Sequence, residues 1–245
     1  MKGCSPEEFR RRFKKRSEEE IARWEMELKF IKVFRPMKER ARLMKYDFEK
    51  YVREGRKRGI STTEAMKIIK QWSKTDKRIL FLSSPPGTGK TFASAFYLYR
   101  AWETAWKHGF DSWSMFFVKE QELFGPFSFK DDVKEAVIEY VKGAQILVID
   151  DFGQIIPKDE KRIEEMRTFY EGLFDERRIM KPVEGLKVPR LILTTNLTRE
   201  EVKKLPYLSE RILSRVDSIS LFMRFEDRDY RSLGLPDFLP SEPKL

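Results

Sequence analysis

The eight residues from Ser84 to Thr91, SPPGTGKT, have the residue types and spacing of a phosphate-binding loop. Gly87 and Gly89 would let backbone N–H groups turn onto phosphate oxygens. We expect Lys90 to reach the β- and γ-phosphates of a nucleotide and the Thr91 hydroxyl to ligate Mg²⁺. The predicted nucleotide-binding residues of the loop are Ser84, Pro85, Pro86, Gly87, Thr88, Gly89, Lys90 and Thr91.

The loop also has the sequence context that this chemistry needs. A short apolar run, RILFLSS, precedes it, and a run that can form a helix, TFASAFYLYRAW, follows it. This is the strand, loop and helix order of such sites, and the positive end of the helix would add to the attraction for an anion. The usual pattern begins with glycine where this chain has Ser84. The alternative interpretation is a tight turn of proline and glycine before a helix.

Two further runs place polar groups at the ends of apolar strands. Asp150 closes QILVID, 60 residues after Lys90. Because ligand-binding groups lie at the carboxyl ends of parallel strands, we expect Asp150 to hold Mg²⁺ directly or through water. Asp151 is then the candidate for polarising the attacking water. Asn196 closes LILTTN, where its amide can orient that water or can simply lie in a turn that ends the strand.

Arg211 and Arg215 lie four residues apart in SERILSRV, which places them on one face of a helix. Arginine can stabilise charge that develops on a transferring phosphoryl group. Spacing alone does not select this function, and pairing with surface acids is the alternative.

Apolar runs alternate with helical periodicity, which predicts an α/β fold with a mainly parallel five-stranded sheet flanked by helices on both faces. Strands are predicted at 79–82, 113–118, 145–150, 191–195 and 219–225. Helices are predicted at 61–72, from the loop to 107, at 119–141 with a break near 125–129, at 161–178 and at 209–216. Ser61 and Glu64 have the spacing of a capping box at the start of the first of these helices.

The positive charge is concentrated in the first quarter of the chain. Of the net charge of +10, residues 1–60 contribute +9, with 20 Lys/Arg against 11 Asp/Glu. Apolar side chains at helical spacing between Phe9 and Ile31 predict a long amphipathic helix, and so short a segment needs a partner to bury that stripe. Residues 1–44 are therefore predicted to be a basic helical segment that binds a partner, although a solvated helix face would give the same pattern.

Other features limit the classes of function. Cys4 and His108 are the only residues of their types, which excludes an intramolecular disulfide and a zinc site built on Cys or His clusters. No apolar run is long enough for a transmembrane helix, so we expect a cytoplasmic protein without a membrane partner. Residues 233–245 contain three prolines and are predicted to form a loose tail.

Four runs, in the order SPPGTGKT, ILVIDDFG, LILTTNLT and SERILSRV, resemble the motifs of AAA+ ATPases. The DDFG and TTNL segments more narrowly resemble the DnaC/DnaI-type loaders of replicative helicases and their IstB-like transposition relatives. The stretch LFMRFEDRDYRS resembles the last strand of the loaders. KYDFEKY resembles the segment that lies near the adenine in those proteins, which adds Phe48 to the expected nucleotide-binding residues. The resemblance covers residues 45–232, the expected ATPase domain.

This resemblance implies that the chain binds ATP or ADP with Mg²⁺ and hydrolyses ATP. It implies that Arg215, the arginine of the SR pair, reaches the nucleotide of a neighbouring subunit in a self-assembled complex, with Arg211 as a second candidate. Asp151 stands where many AAA+ proteins have glutamate, and its shorter side chain implies slow turnover that DNA or a partner would stimulate. Only 29 residues follow Val216, too few for the helical lid domain of most AAA+ proteins, which loaders of this type also lack.

In this group of proteins an extra helix after the second strand contacts single-stranded DNA. The corresponding stretch here, 119–142, carries lysines and phenylalanines that could pair with phosphates and stack on bases. They are Lys119, Lys130, Lys134 and Lys142, with Phe124, Phe127 and Phe129. The phenylalanines could instead be core residues, and the lysines are offset by Glu120, Glu122, Asp131 and Asp132.

The leading hypothesis is a helicase loader that hydrolyses ATP, binds the replicative DNA helicase through residues 1–44 and binds single-stranded DNA during replication initiation. The second hypothesis is an IstB-like helper ATPase that shares the core motifs but binds duplex DNA and a transposase. Further alternatives are a P-loop kinase for a small molecule and a nucleotide-gated binding module without catalysis. The sequence shows no signature of the arginine-bearing lid and acceptor pocket that such kinases need.

Overall fold

The computed structural model describes residues 63–109, 114–125, 131–227 and 229, except for the side chains of 106 and 131–136. The predicted N-terminal segment (1–44), the stretch that contains Phe48 and the predicted tail (233–245) lie outside the described residues. Lys130, Phe127, Phe129 and Ser61 also lie outside them. Among the helices that are described, none combines the length and the apolar composition needed to cross a membrane.

A parallel sheet forms the centre of the described fold. Its strands are β1 (Ile79–Ser83), β2 (Met115–Lys119), β3 (Ile146–Asp150), β4 (Arg190–Thr195) and β5 (Ser220–Arg224). They lie in the order β2-β3-β4-β1-β5, and each neighbouring pair is parallel. One strand, β4, therefore separates the strand before the phosphate-binding loop from the strand that ends at Asp150. The predicted α/β fold class, built on a mainly parallel five-stranded sheet, is therefore confirmed.

Helices connect these strands and cover the sheet. They are α1 (Glu64–Trp72), α2 (Lys90–His108), α3 (Glu120–Phe124), α4 (Asp131–Gly143), α5 (Glu160–Ile179), α6 (Arg199–Lys203) and α7 (Glu210–Asp217). Each helix predicted between residues 61 and 216 is present with ends shifted by three residues or fewer, and α3 and α4 are the two parts of the helix predicted to be broken. Within the described residues no helix follows β5.

Burial explains why these runs form strands. Every residue of β1, β3 and β4 is buried, as expected for parallel strands covered on both faces. On one face, Leu80 and Ile192 belong to a core cluster that includes side chains of α1 and α2. On the opposite face, the Phe81 ring contacts Phe152, which in turn contacts Tyr170 of α5. The side chains of the strands therefore alternate between two apolar layers, and only the strand ends carry polar groups.

The start of helix α1 differs from the sequence prediction. Glu64 is the first residue of α1, and the Thr63 hydroxyl caps the helix by accepting from the Met66 N–H at 3.3 Å. The predicted capping box of Ser61 and Glu64 is therefore wrong, because Glu64 begins the helix and does not occupy its third position.

Helix α6 is absent from the sequence prediction, although a capping box begins it. Thr198 Oγ1 accepts from the Glu201 N–H at 3.2 Å, and the Glu201 carboxylate accepts from the Thr198 N–H at 2.7 Å. The T-x-x-E spacing directly after LILTTN was the available signal. This short helix follows Asn196, so it fixes the direction in which the chain leaves the end of β4.

Candidate nucleotide-binding site

The phosphate-binding loop joins the end of β1 to the start of α2, and its own side chains hold its shape. Gly87 and Gly89 both have a φ of 85°, a conformation that residues with a Cβ rarely adopt. The hydroxyls of Ser84 and Thr88 are in hydrogen-bonding contact. Ser84 is fully buried, and its N–H donates to the Thr195 carbonyl of β4 at 3.2 Å. The serine at the usual glycine position is thus built into the loop.

The ammonium group of Lys90 is buried against the backbone of the loop. Only 7% of Lys90 is exposed. Its Nζ donates to Ser84 O at 2.7 Å, to Pro85 O at 2.9 Å, to Asn196 Oδ1 at 2.9 Å and to Ser84 Oγ at 3.0 Å. These acceptors belong to the loop and to Asn196 after β4, so the ammonium group lies between these two segments. The position and charge of Lys90 therefore fit a phosphate oxygen as a further ligand.

Thr91 and Asp150 form a second polar group beside the loop. Thr91 Oγ1 donates to Asp150 at 3.0 Å from Oδ1 and 3.2 Å from Oδ2, and Thr194 Oγ1 donates to Asp150 Oδ1 at 2.5 Å. Burial raises the pKa of the Asp150 carboxyl above its usual range, against the lowering effect of the Thr194 hydrogen bond. A cation would restore the ionised form of this carboxyl. Carboxylate and hydroxyl oxygens are the ligands that Mg²⁺ prefers, so Thr91 and Asp150 fit this ion.

Asp151 turns the chain sharply after β3. Its φ of 60° is the only positive value for a non-glycine residue in the described chain, and such a conformation costs about 1 kcal/mol or more. Its N–H donates to Thr194 Oγ1 at 3.1 Å, and its carboxylate accepts from Gln154 Nε2 at 3.1 Å. Asp151 is half-exposed. A carboxylate held at the rim of the site, next to Asp150, is suited to polarising a water molecule.

Sequence reasoning missed two residues that organise this site. The first is Thr194, whose hydroxyl bonds to both Asp150 and Asp151. Its signal is the pair of hydroxyl residues at the end of the otherwise aliphatic strand LILTT.

The second missed residue is Glu120, at the start of α3. The sequence interpretation gives Glu120 only as one of four acids that offset nearby lysines, whereas the structure buries it fully. Its carboxylate accepts four hydrogen bonds, from Gly153 N, Ile155 N, Tyr170 OH and Tyr207 OH. These donors come from distant parts of the chain, which is why the sequence gives no local signal for the burial.

Asn196 lies at the end of β4, between Lys90 and β5. Its side-chain oxygen accepts from Lys90, and its carbonyl lies 3.4 Å from Nη1 of Arg224, the last residue of β5. The residues after β5 also approach the loop. A Cβ added to Gly87 would lie 2.1 Å from Asp229 Oδ1, so the absence of a side chain at Gly87 permits this close approach.

Of the two arginines of α7, one pairs with a residue of α5 and the other is exposed. Arg215 Nη1 lies 3.3 Å from Asp175 Oδ2 of α5, and Asp175 also pairs with Arg178 at 3.3 Å. Arg211 is exposed. The structure thus brings Lys90, Thr91, Asp150, Asp151 and Asn196 together, and it places Arg215 in an ion pair with α5.

The residues predicted to contact DNA differ in their exposure to solvent. Lys119 is exposed and is the register partner of Asp150, so it lies at the same edge of the sheet. Lys134 belongs to α4, where its side chain is not among those described. Phe124 is buried, with its ring 5.1 Å from that of Phe169. For Phe124 the structure supports the alternative of a core residue, which excludes base stacking by this side chain.

No protein-family model matches the chain, and no curated protein matches it. Similar solved structures include AMPPCP-bound DnaA from Aquifex aeolicus, with 18% identity, 70% of this chain and 50% of that chain covered, and a TM-score of 0.47. DnaI has 18% identity and a TM-score of 0.48, with 69% of this chain and 83% of the DnaI chain covered. The ORC2 protein of Aeropyrum pernix has 16% identity and a TM-score of 0.40, with 66% of this chain and 47% of the ORC2 chain covered. The chain spans about half the length of the DnaA structure. Likenesses this low assign the chain to no family.

Glu120 should make the stability of the fold depend on pH. Burial raises the pKa of its carboxyl from 4.5 to about 7, even though hydrogen bonds from Tyr170 and the Ile155 N–H lower it. The folded state therefore holds this proton more tightly than the unfolded chain does. The resulting contribution to the free energy of unfolding is fully present below pH 4.5 and is lost as the pH rises through about 7. The loss is on the order of 3 kcal/mol.

Urea unfolding of the wild type and of Glu120→Gln, at about pH 5 and about pH 8, measures this effect. Glutamine cannot ionise, so the variant should lack this part of the pH dependence. The tyrosines that face Glu120 stay neutral in this range, because burial raises their pKa values. Identical pH dependence in the two proteins would show that Glu120 does not titrate in this way.

Proposed function

We propose that this chain is an ATPase that acts as a helicase loader, binding a replicative DNA helicase and single-stranded DNA. The observation that carries the ATPase part is the meeting of Lys90, Thr91, Asp150, Asp151 and Asn196 at the carboxyl edge of one parallel sheet. A cation, a hydroxyl, two carboxylates and an amide are the groups that phosphoryl transfer to water uses. The motif resemblance to helicase loaders supports the narrower part of the proposal.

ATP would bind with its β- and γ-phosphates on the loop. Gly87 and Gly89 permit the backbone there to face N–H groups toward an anion, and the positive end of α2 adds to the attraction. Lys90 would exchange one of its neutral acceptors for a phosphate oxygen, which makes a stronger, charge-assisted bond. Mg²⁺, held by Thr91 and Asp150, would neutralise charge on the phosphates. Phe48 is proposed to lie near the adenine.

Asp151 would orient and polarise the water that attacks the γ-phosphate. Asn196 already directs its side-chain oxygen at Lys90, so its amide nitrogen is available to donate toward the γ-phosphate or the water. The short side chain of Asp151 reaches less far than glutamate would. We therefore expect slow turnover by the isolated chain and faster turnover when DNA or a partner orders the site.

Arg215 is proposed to complete the site of a neighbouring subunit, with Arg211 beside it. In α7 the buried residues are Ile212 and Val216, while Arg215 pairs with Asp175 on α5 and keeps 36% of its side chain exposed. Exposed pairs of this kind contribute about 1 kcal/mol or less. A nucleotide phosphate of another subunit could therefore replace Asp175 as the partner of Arg215 at little cost.

Residues 1–44 are proposed to bind the helicase, and Lys119, Lys130 and Lys134 to bind single-stranded DNA. Lys119 supports this placement because it is exposed at the edge of the sheet beside Asp150. A DNA phosphate bound there would lie close to the nucleotide site, which offers a direct physical route for stimulation by DNA.

The ATPase proposal predicts different defects for two variants. Lys90→Ala should weaken ATP binding by about tenfold or more, since it removes a charge-assisted contact. Asp151→Asn should leave binding nearly unchanged and lower kcat by about 100-fold or more. Calorimetric binding of an ATP analogue and phosphate release measure the two effects. Lys203→Ala, which removes an exposed lysine paired with Glu200, is the matched control. Wild-type protein that neither binds nor hydrolyses ATP would contradict the proposal.

The proposed function of Arg215 can be tested by mixing variants. With DNA and helicase present, Arg215→Ala should bind ATP normally but lose about 100-fold or more of its turnover. Adding Lys90→Ala protein should restore part of that turnover, because it brings an intact Arg215 to the occupied sites of the first variant. Arg178→Ala serves as the control, since Arg178 pairs with the same Asp175. Full activity of Arg215→Ala alone would exclude a function in trans.

Binding to the replicative helicase of the same host tests the loader assignment. We expect the full chain to bind the helicase in the presence of ATP and to prefer single-stranded over duplex DNA in fluorescence anisotropy. Removing residues 1–44 should abolish helicase binding and leave the affinity for ATP unchanged. A preference for duplex DNA together with no affinity for the helicase would instead favour the transposition helper.

A further inference from the structure

We propose that Glu120 is a positioning residue for ATP hydrolysis, because its carboxylate holds the turn that presents Asp151. This inference rests on the ATPase activity proposed above and adds to it a residue that does not touch the nucleotide. Glu120 is fully buried and lies at the first position of α3, directly after Lys119. Its two oxygens serve different parts of the fold.

One oxygen, Oε2, holds the turn after β3. It accepts from the N–H of Gly153 at 2.9 Å and from the N–H of Ile155 at 3.2 Å. Buried backbone N–H groups that lack an acceptor cost about 1–3 kcal/mol each. The turn also has little room, because Gly153 has a φ of 81° and a Cβ there would lie 2.5 Å from Leu197 Cδ1. The shape of the segment from Asp151 to Ile155 therefore depends on an acceptor at this position.

The other oxygen, Oε1, faces two tyrosines. It accepts from the hydroxyl of Tyr170 in α5 at 2.6 Å and from that of Tyr207 at 3.1 Å. Both side chains are fully buried, and their rings stack with centres 5.4 Å apart. These hydroxyls therefore contact the oxygen that does not bond to the turn. Each tyrosine supplies one of two donors, so the loss of a single hydroxyl leaves Oε1 bonded and leaves the contacts of Oε2 with the turn intact.

The backbone of Glu120 has a fixed relation to the acidic pair. Lys119, the preceding residue, ends β2 in register with Asp150 at the end of β3. The sheet thus sets the distance between the start of α3 and the segment that contains Asp150 and Asp151. Asp151 itself is strained, with a φ of 60°, and a strained residue keeps its conformation only when its surroundings impose it. Thr194 holds the N–H of Asp151, and Glu120 holds the turn two residues further on.

The test uses the full chain and compares variants that remove one side of this network at a time. Glu120→Met removes the acceptor but keeps a side chain of similar length. We expect it to bind one ATP analogue with an affinity within about twofold of wild type and to lower kcat by about 100-fold, because a misplacement of about 1 Å is enough for such a loss. Glu120→Gln, which retains an oxygen that can face the turn, should recover most of that loss.

Tyr170→Phe and Tyr207→Phe are the matched controls, because they remove only the donors to Oε1. They should keep kcat within about twofold of wild type even where they lower the melting temperature. A second readout needs no nucleotide. Hydrogen exchange of the Gly153 and Ile155 amides should accelerate by about tenfold or more in Glu120→Met and stay near wild type in the tyrosine variants.

Three outcomes would overturn the inference. They are a normal kcat for Glu120→Met, equal losses in Glu120→Met and the tyrosine variants, and unchanged amide exchange in the turn. If Glu120→Met does not fold, Glu120→Asp replaces it. Aspartate keeps the charge but is too short to reach both sides of the network, so reduced kcat with intact binding is again expected. A wild-type chain that does not hydrolyse ATP would refute the proposed function and this inference together, whereas active wild type with an equally active variant refutes this inference alone.

Discussion

The parallel register of β1, β3 and β4 is the constraint on which the rest of the site depends. Ser83 pairs with Thr195, and Ile149 pairs with Leu193, so the three strands end at one level of the sheet. Their last side chains and the loops that follow are therefore delivered to a single edge. A slip of one residue in any of these strands would send its side chains to the opposite apolar layer and would move its polar end by one position. The same backbone hydrogen bonds that build the sheet thus assemble the phosphate-binding loop, the acidic pair and Asn196.

The site keeps several charged groups out of water and surrounds them with dipoles. Lys90, Asp150 and Glu120 are buried, and carbonyl, hydroxyl, amide or backbone N–H groups contact each of them. Such dipoles recover part of the cost of removing a charge from water. They also stay in place when a ligand arrives, so little reorganisation is needed. A buried cation beside a buried carboxyl is well matched to a ligand that carries both phosphate and a metal ion.

Local patterns were enough to predict the fold and the residues that meet at the edge of the sheet. The aliphatic runs before Asp150 and Asn196 identify buried strands, and polar residues that end such runs are visible in the sequence itself. The position of Glu120 could not be predicted in this way. Its partners Tyr170 and Tyr207 lie 50 and 87 residues away in the chain, and only the packed structure brings them together. The pairing of Arg215 with Asp175 could not be predicted from local patterns either, because it depends on how α5 and α7 pack together.

The contacts of Asn196 connect the phosphate-binding loop to the far edge strand. Its side-chain oxygen accepts a hydrogen bond from Lys90, while its backbone oxygen faces the Arg224 guanidinium at the end of β5. A third phosphate that drew the ammonium group toward itself would release the side chain of Asn196 from that bond. Its backbone would then be free to shift against Arg224. A change in the phosphates bound at the loop would in this way be transmitted to the end of β5.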